Sequence, residues 1–382
     1  MLEFKILKKS TKSRARLGVL KTAHGEVETP AFVPVTTQAA AKALSSEEIK
    51  EAGSQLVICN TFHLHLKPGE DYVQQAGKLH EFMHWERPIM TDSAGFQVFS
   101  LGFGVDHGVG KKIKKDDGKK LNKTIKQDKQ PKNLKITDDG VLFKSPLNGD
   151  KIFIGPKESI AIQQKLGADI MFAFDECTSP LANKDYIKKS MERTHRWAKI
   201  CLEHRSSDQA LFGIVQGSYF QDFRQESAQY INSLDFDGFG IGGDLGISKD
   251  DTRNVLNWNI PFLDEQKPRH LLGMGYLDDM QIIVEGGVDT FDCTVPTQFG
   301  RHGIAFTSEG KLDMRKAKYF KDQEPLDKNC ACPVCQNYKR SYLCHLLRAK
   351  EITGLRFLSL HNIYFFNNYI KILREKIKNN EI

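Results

Sequence analysis

Eight short apolar runs, spread along most of the chain, constrain its fold more than any other feature of the sequence. Most of them are largely apolar until their last positions, as expected for strands buried on both faces of a parallel sheet. Amphipathic segments of helical character lie between them, such as residues 45–53, 156–167 and 278–287. The runs are residues 31–37, 56–60, 88–92, 170–175, 211–216, 238–243, 270–275 and 288–293.

Alternating strand and helix units of this number predict an α/β protein with a (β/α)8 TIM barrel fold. The alternative is an open, doubly wound sheet, which does not normally need eight units. No glycine-rich nucleotide-binding turn follows the first run, at residues 31–37. The sequence therefore favours the barrel, as a single catalytic domain over residues 1–382.

The net charge of +7 comes from one lysine-rich segment. Residues 111–135 hold 11 Lys and 3 Asp, so the remainder of the chain is close to neutral. This composition indicates a flexible insertion at about residues 104–135. The insertion is either a solvated loop or a nonspecific contact with nucleic-acid phosphates.

Several features predict a cytoplasmic protein that does not cross a membrane. No apolar run approaches the length of a membrane span, and the N-terminus is too polar for a secretory signal. Five cysteines are scattered singly, as expected in a reducing compartment: Cys59, Cys177, Cys201, Cys293 and Cys344.

In a TIM barrel, the carboxyl ends of the strands meet at one mouth, where the active site lies. The predicted strands here end in carboxylates, an amide and glycines, namely Asp92, Asp175, Gln216, Gly242, Gly243, Gly273, Gly275 and Asp292. Any single Asp at such a place could simply cap the following helix. Several polar strand ends together indicate a ligand site.

Two carboxylates facing one substrate suit the transfer of a glycosyl group. One attacks the anomeric carbon, and the other moves the proton of the leaving group. A third carboxylate and an amide suit the edge of a flat heterocycle, because a carboxylate accepts from N–H groups and an amide donates to a carbonyl. Guanine presents that pattern of donors and acceptors.

Three cysteines within six positions, Cys330, Cys332 and Cys335, indicate a metal site. They provide three thiolates of a tetrahedral zinc site, and the fourth ligand is downstream. The candidates are Cys344, His345 and His361. We expect a zinc-binding subdomain at about residues 325–365, followed by a C-terminal helix.

Together these motifs resemble those of the tRNA-guanine transglycosylases, in the same order and spacing and over essentially the whole chain. The motifs are "TDSAGFQVFSL" (91–101), "FDEC" (174–177), "VQGS" (215–218), "IGG" (241–243), "DTFDCTVPTQFGRHG" (289–303) and the cysteine cluster. The resemblance implies a zinc-bearing (β/α)8 barrel that works as a homodimer. It also implies exchange of guanine at the anticodon wobble position of tRNAs with GUN anticodons (Asp, Asn, His and Tyr) for a 7-deazaguanine base, either an aminomethyl precursor or queuine.

The resemblance also implies roles for individual residues. Asp292 is similar to the nucleophile on ribose C1′, and Asp92 to the general acid/base. The fourth metal ligand by family spacing is His361, which would complete one closed, structural zinc site per chain. The implied base-binding residues are Asp92, Ser93, Ala94, Gly95, Phe96, Asp175, Gln216, Gly242 and Gly243. The implied RNA-binding residues are Gly273, Met274, Gly275, Tyr276, Leu277, Asp278, Asp279, Thr297, Gln298, Phe299, Gly300 and Arg301.

The chain departs from the family pattern at a few positions. Ala94 stands where most relatives have glycine, which predicts backbone strain if φ is positive there. Gln298 stands where most have arginine, which would remove a contact near the wobble base. Gly246 matches relatives that accept the larger base queuine, whereas Cys177 matches bacterial relatives, so the incoming base stays open. Two other functions also stay open: a non-catalytic tRNA-binding partner subunit, or another N-glycosylase or hydrolase on the same barrel.

Overall fold

The structure is a computed structural model that describes residues 2–100, 134–246 and 248–382. The strands in these ranges, in chain order, are β1 (Glu3–Lys9), β2 (Arg16–Thr22), β3 (Gly25–Thr29), β4 (Ala31–Pro34), β5 (Val57–Cys59), β6 (Ile89–Thr91), β7 (Leu134–Ile136), β8 (Val141–Lys144), β9 (Lys151–Ile154), β10 (Ile170–Phe172), β11 (Ala210–Val215), β12 (Gly238–Ile241), β13 (Arg269–Leu271), β14 (Thr290–Cys293), β15 (Ile304–Thr307) and β16 (Gly310–Asp313).

Eight of these strands form one parallel sheet, in the order β4-β14-β13-β12-β11-β10-β6-β5. The two ends of the sheet meet where Val35 pairs with Ile58, so the sheet closes on itself. At this seam the Thr36 amide donates to the Ile58 carbonyl at 2.7 Å. The closed parallel sheet confirms the (β/α)8 fold. Six of its strands fall within the apolar runs, and β11 and β13 each begin one residue before theirs.

Helices follow most of the barrel strands and cover the outside of the sheet. The described helices are α1 (Ser46–Glu51), α2 (Thr61–Leu66), α3 (Glu70–Gln75), α4 (Lys78–Phe82), α5 (Pro156–Leu166), α6 (Lys184–His204), α7 (Gln221–Asn232), α8 (Lys249–Asn259), α9 (Met280–Glu285), α10 (Val295–Arg301), α11 (Pro333–Asn337), α12 (Arg340–Arg348) and α13 (Ile352–Lys378). The amphipathic segments read from the sequence correspond to α1, α5 and α9. Among the described helices, none is both long and apolar enough to span a bilayer.

An antiparallel sheet of β1, β2 and β3 closes the amino end of the barrel. Leu20 and Val27 of this sheet are fully buried in the same apolar cluster as barrel residues such as Phe172. A buried ion pair, 2.6 Å long, joins Arg16 of β2 to Asp289, just before β14. This sheet could not be predicted from the sequence, because β1 alternates between exposed and half-buried residues and has no buried face.

Two predicted boundaries differ from the structure. The lysine-rich insertion lies mostly outside the described residues, but its last position, Lys135, belongs to β7, which pairs with β8 and β9 in a separate antiparallel sheet. The C-terminal helix does not follow the predicted zinc-binding subdomain. Instead α13 begins at Ile352, inside the predicted range 325–365, and runs unbroken to Lys378.

Candidate functional site

A cavity of about 480 Å³ opens at the carboxyl ends of the barrel strands. It brings together residues that are far apart in sequence but lie at neighbouring strand ends. Among the residues that line it are Lys42, Asn60, His63, Asp92, Ser93, Phe96, Gln97, Asp175, Cys177, Gly242, Gly243, Gly273, Asp292 and Thr294. The three carboxylates predicted from the strand ends therefore face one space.

Asp92 follows β6 and accepts hydrogen bonds from several groups. Its Oδ1 accepts from the Thr61 amide at 2.9 Å and the Ala94 amide at 3.2 Å, and its Oδ2 accepts from Asn60 and from Gln97 at 2.7 Å. Burial outweighs these donors and raises the pKa of Asp92 to about 6. A carboxyl with that pKa can both give and take a proton near neutral pH, as a general acid/base must.

The raised pKa of Asp92 predicts that stability falls as the pH rises. Burial raises the pKa from 3.8 to about 6, so the folded protein holds this proton more tightly than the unfolded chain does. The stabilisation from proton binding is fully present below about pH 3.8 and is lost as the pH rises through about 6. Between about pH 5 and about pH 7.5, we expect the wild type to lose up to about 1.4 kcal/mol relative to Asp92→Asn.

Urea unfolding of both proteins at the two pH values measures this loss. Lost hydrogen bonds in Asp92→Asn act equally at both pH values, so the change in the difference isolates the titration of Asp92. A stability difference that stays constant with pH would mean that the pKa of Asp92 is not raised.

Asp292 is the third residue of β14, and its carboxylate is held at one oxygen. Oδ1 accepts from the Gly273 amide at 2.7 Å and lies 3.1 Å from His270 Nε2. In the described part of the chain, both hydrogen bonds of this carboxylate end on Oδ1. Oδ2 is therefore the oxygen left for a substrate in the cavity.

Asp175, which follows β10, is the centre of a buried hydrogen-bonded group. Ser93 Oγ donates to Asp175 Oδ1 at 2.8 Å, and Gln216 Nε2 donates to Oδ2 at 2.6 Å. Gly95 packs so closely that a Cβ there would lie 2.4 Å from the Asp175 carbonyl oxygen, so only glycine fits. Gln216 is not among the described residues that line the cavity. It lies behind Asp175 and fixes that carboxylate.

Ala94 has a positive φ of +70°, the backbone conformation for which strain was predicted at this position. The turn aims its amide at Asp92 Oδ1. Phe96, two residues later, is 40% exposed and lines the cavity.

Arg224, a fully buried residue of α7, also supports the site and was not among the residues predicted from the sequence. Its guanidinium donates to the backbone carbonyls of Ser218 at 2.6 Å, Gly242 at 2.8 Å and Asp244 at 2.7 Å. It thus ties the loop after β11 to the loop after β12, which carries Gly242 and Gly243. A charged residue within an amphipathic helix gives no sequence signal that it is buried.

The absence of a side chain at Gly246 gives no information about the size of the incoming base. Gly246 is not among the described residues that line the cavity, and its φ is +79°. A Cβ there would lie 2.1 Å from Asp251 Cβ, at the start of α8. Gly246 is thus required by the turn, whereas Cys177 does line the cavity.

The predicted RNA-binding segments are only partly accessible. Five residues are buried and support the segments without presenting side chains to RNA: Met274, Gly275, Asp279, Thr297 and Gly300. The remaining residues are exposed or half-buried: Gly273, Tyr276, Leu277, Asp278, Gln298, Phe299 and Arg301. Of the predicted RNA-binding residues, Gly273 is among the described residues that line the cavity, and Thr294, which also lines it, comes three residues before the second segment.

The three clustered cysteines meet His361 of α13. The Sγ atoms of Cys332 and Cys335 lie 3.3 Å from His361 Nδ1, and that of Cys330 lies at 3.8 Å. His361 Nε2 is 2.7 Å from the Phe306 carbonyl oxygen. Because a carbonyl only accepts, Nε2 carries the proton and the lone pair of Nδ1 faces the thiols.

These four residues could bind a metal ion, since their ligand atoms all lie within 4.8 Å of one another. Of the other candidates for the fourth ligand, His345 is exposed, and Cys344 Sγ is directed at the Lys316 carbonyl at 3.6 Å. Cys332 also caps α11, where its Sγ accepts from the Cys335 amide at 3.3 Å.

Comparison with known proteins agrees with the fold and the cavity. A family model described as queuine tRNA-ribosyltransferase matches residues 10–382. A queuine tRNA-ribosyltransferase of Natranaerobius thermophilus is 45% identical, over 98% of this chain and 95% of the relative. Relatives of the same description from Desulforamulus reducens and Streptococcus gordonii are each 44% identical over 100% of this chain, covering 96% and 93% of their own lengths.

The closed barrel with a polar cavity at the carboxyl ends of its strands is the architecture of a barrel enzyme. The chain belongs to the queuine tRNA-ribosyltransferase family, and it is a pentosyltransferase.

Proposed function

We propose that this enzyme exchanges guanine at the anticodon wobble position of tRNA for a 7-deazaguanine base. The observation that carries the proposal is the placement of Asp92 and Asp292 on one cavity, with Asp175 at its side. Double displacement at a ribose carbon needs a nucleophile, a proton carrier and a group that recognises the base.

In the first step, Asp292 Oδ2 attacks ribose C1′ and forms a covalent ester bond. The bond from C1′ to the base nitrogen breaks, and its electron pair leaves with guanine. Asp92 in its protonated form gives a proton to the departing base. With a pKa of about 6, Asp92 carries that proton at little energetic cost near neutral pH.

In the second step, the incoming base occupies the emptied pocket. Asp92, now ionised, takes a proton from its ring nitrogen. That nitrogen attacks C1′, the ester bond breaks, and its electron pair returns to Asp292. The enzyme ends in its starting state, so the exchange needs no redox cofactor and no nucleoside triphosphate.

We assign the reading of the base edge to Asp175, which Ser93 and Gln216 hold by hydrogen bonds, and to the Gly242–Gly243 backbone, which lines the same cavity. Asp175 accepts from the N–H groups of guanine, while Phe96 stacks on the ring. The wobble base must leave the anticodon stack to enter, and loop bases are splayed out readily.

Changing Asp175 to Asn is expected to raise the KM for free guanine by about tenfold to a hundredfold, because a charge-assisted hydrogen bond is lost. Initial rates at varied guanine concentration measure this. The control is Asp185→Asn, an exposed carboxylate at the start of α6, which should leave KM unchanged. An unaltered KM in Asp175→Asn would remove Asp175 from base recognition.

Zinc fits the cluster of Cys330, Cys332, Cys335 and His361. Three thiolates and an imidazole make a closed tetrahedral set, so the ion would be structural, with about one per chain. The site joins the loop before α11 to α13, and through Phe306 to β15. The ion would thereby stabilise the region that follows the barrel in the chain, from β15 to α13.

The proposed partners are tRNAs with GUN anticodons and a second copy of this chain. The accessible part of the RNA-binding segments, around Tyr276 and Gln298, would contact nucleotides next to the wobble base. Competition between the aminomethyl precursor and queuine for guanine-labelled tRNA identifies the incoming base.

Incubation of unmodified tRNA with radiolabelled guanine tests the proposed function. We expect label to enter the RNA at the wobble position only. RNA that stays unlabelled, or label elsewhere in the molecule, would contradict the proposal.

A further inference from the structure

His270 is a polar residue in the interior of the barrel. It lies on β13 and has no exposed surface. The centroid of its ring is 5.2 Å from the centroid of the Phe172 ring. A polar ring in such a place is costly unless both nitrogens are hydrogen-bonded. In this protein both are. Nε2 lies 3.1 Å from Asp292 Oδ1, and Nδ1 lies 2.8 Å from Thr290 Oγ1.

The partners determine which nitrogen carries the proton. An ionised Asp292 can only accept, so His270 Nε2 must donate to it. In a neutral imidazole, Nδ1 then accepts, and the Thr290 hydroxyl donates to it. Thr290 and Asp292 lie two residues apart on β14, on the same face of the strand. One strand thus fixes both the proton on His270 and the acceptor it points to.

This arrangement gives the two carboxylate oxygens of Asp292 different surroundings. Oδ1 receives the His270 and Gly273 donors. The free oxygen, Oδ2, is the one we assign to the bond with ribose. Two donors on Oδ1 fix the rotation of the carboxylate about its last torsion, which is otherwise soft.

We propose that His270 is a positioning residue for Asp292, and that its Nε2–H group stabilises the carboxylate when the ribosyl ester breaks. The inference rests on the proposed function. In the ester, Oδ1 is a neutral carbonyl oxygen. When the C1′–Oδ2 bond breaks, the carboxylate regains its full charge, and the hydrogen bond from His270 becomes charge-assisted and stronger.

The expected consequence has a sign that a merely structural role would not give. Removing the His270 donor destabilises the free Asp292 carboxylate more than it destabilises the ester. The covalent adduct should therefore accumulate. For His270→Phe we expect turnover to fall by about tenfold or more, and the adduct to rise about threefold to tenfold relative to free enzyme. The KM for tRNA should change little, because His270 lies below the cavity and does not line it.

Matched variants isolate the hydrogen bond. His270→Gln places an amide N–H near the position of Nε2, so it should recover most of the activity lost in His270→Phe. Thr290→Val keeps His270 but removes the donor to Nδ1, so an intermediate effect is expected. Melting temperatures of all variants report on folding separately.

The experiment measures turnover, the KM for tRNA, and the adduct fraction on denaturing gels with substoichiometric guanine. Equal adduct fractions in the wild type, His270→Phe and Thr290→Val would overturn the proposal. So would equal losses in His270→Gln and His270→Phe when both fold normally. If His270→Phe does not fold, Thr290→Val and the tautomer measurement decide the matter.

The tautomer of His270 can be measured without any activity. Long-range proton–nitrogen spectra of protein labelled with ¹⁵N-histidine should show the Nε2–H form in the free wild type, assigned by its absence in His270→Gln. An Nδ1–H form would overturn the proposal. A wild type that forms no adduct with tRNA but shows the Nε2–H form would instead refute the proposed function and leave the hydrogen bond intact.

Discussion

Replacing Asp292 by Asn is expected to abolish base exchange, with turnover falling by about 10⁴-fold or more, as when a covalent catalyst is removed. Asparagine has nearly the same shape and can still accept from the Gly273 amide. Its amide group is not a competent nucleophile toward C1′. The variant should therefore fold, bind tRNA and form no adduct.

Labelled-guanine incorporation and tRNA filter binding, measured on the same preparation, check this result. A variant that binds tRNA like the wild type but incorporates no label supports Asp292 as the nucleophile. Exchange at near-normal rate would assign the nucleophile to another residue.

Changing Cys332 to Ser is expected to remove the metal and unfold the region from about residue 325 to the C-terminus. Cys332 is fully buried, caps α11 and lies 3.3 Å from His361 Nδ1. Metal binding to a site of this kind contributes folding free energy of about 10 kcal/mol or more, which is comparable with the whole stability of a domain. Losing one thiolate should therefore cause aggregation or a large fall in melting temperature.

The matched control is Cys344→Ser. Cys344 is also buried in this region, but its Sγ is directed at the Lys316 carbonyl and lies outside the four-residue cluster. Metal analysis should give about one zinc per chain in the wild type and in this control. A Cys332→Ser protein that is soluble, active and free of zinc would contradict a structural role for the metal.

Buried parallel strands could be predicted from the sequence because most of them are short, largely apolar runs, as in "LFGIVQ" at residues 211–216. The antiparallel sheets could not. The β1 strand has no buried face, and β7 is joined to a lysine-rich segment that hides its short apolar pattern.

The candidate site residues could be predicted from their positions at the ends of the predicted strands, because a (β/α)8 barrel brings all its strand ends to one mouth. The residues that support them could not. His270 looks like any histidine in a strand, and Arg224 looks like a surface charge on a helix. Their roles depend on partners that only the fold brings close, at Asp292 and at the Gly242 carbonyl.

Mapping the covalent adduct tests the central claim most directly. The enzyme is mixed with unmodified tRNA and little free base, the adduct is isolated under denaturing conditions, and the modified peptide is identified by mass spectrometry. We expect the ribose of the wobble nucleotide to be attached to Asp292. We also expect the adduct to disappear when excess guanine is added to the native mixture. Attachment to another residue, or rapid exchange with no adduct at all, would contradict the account.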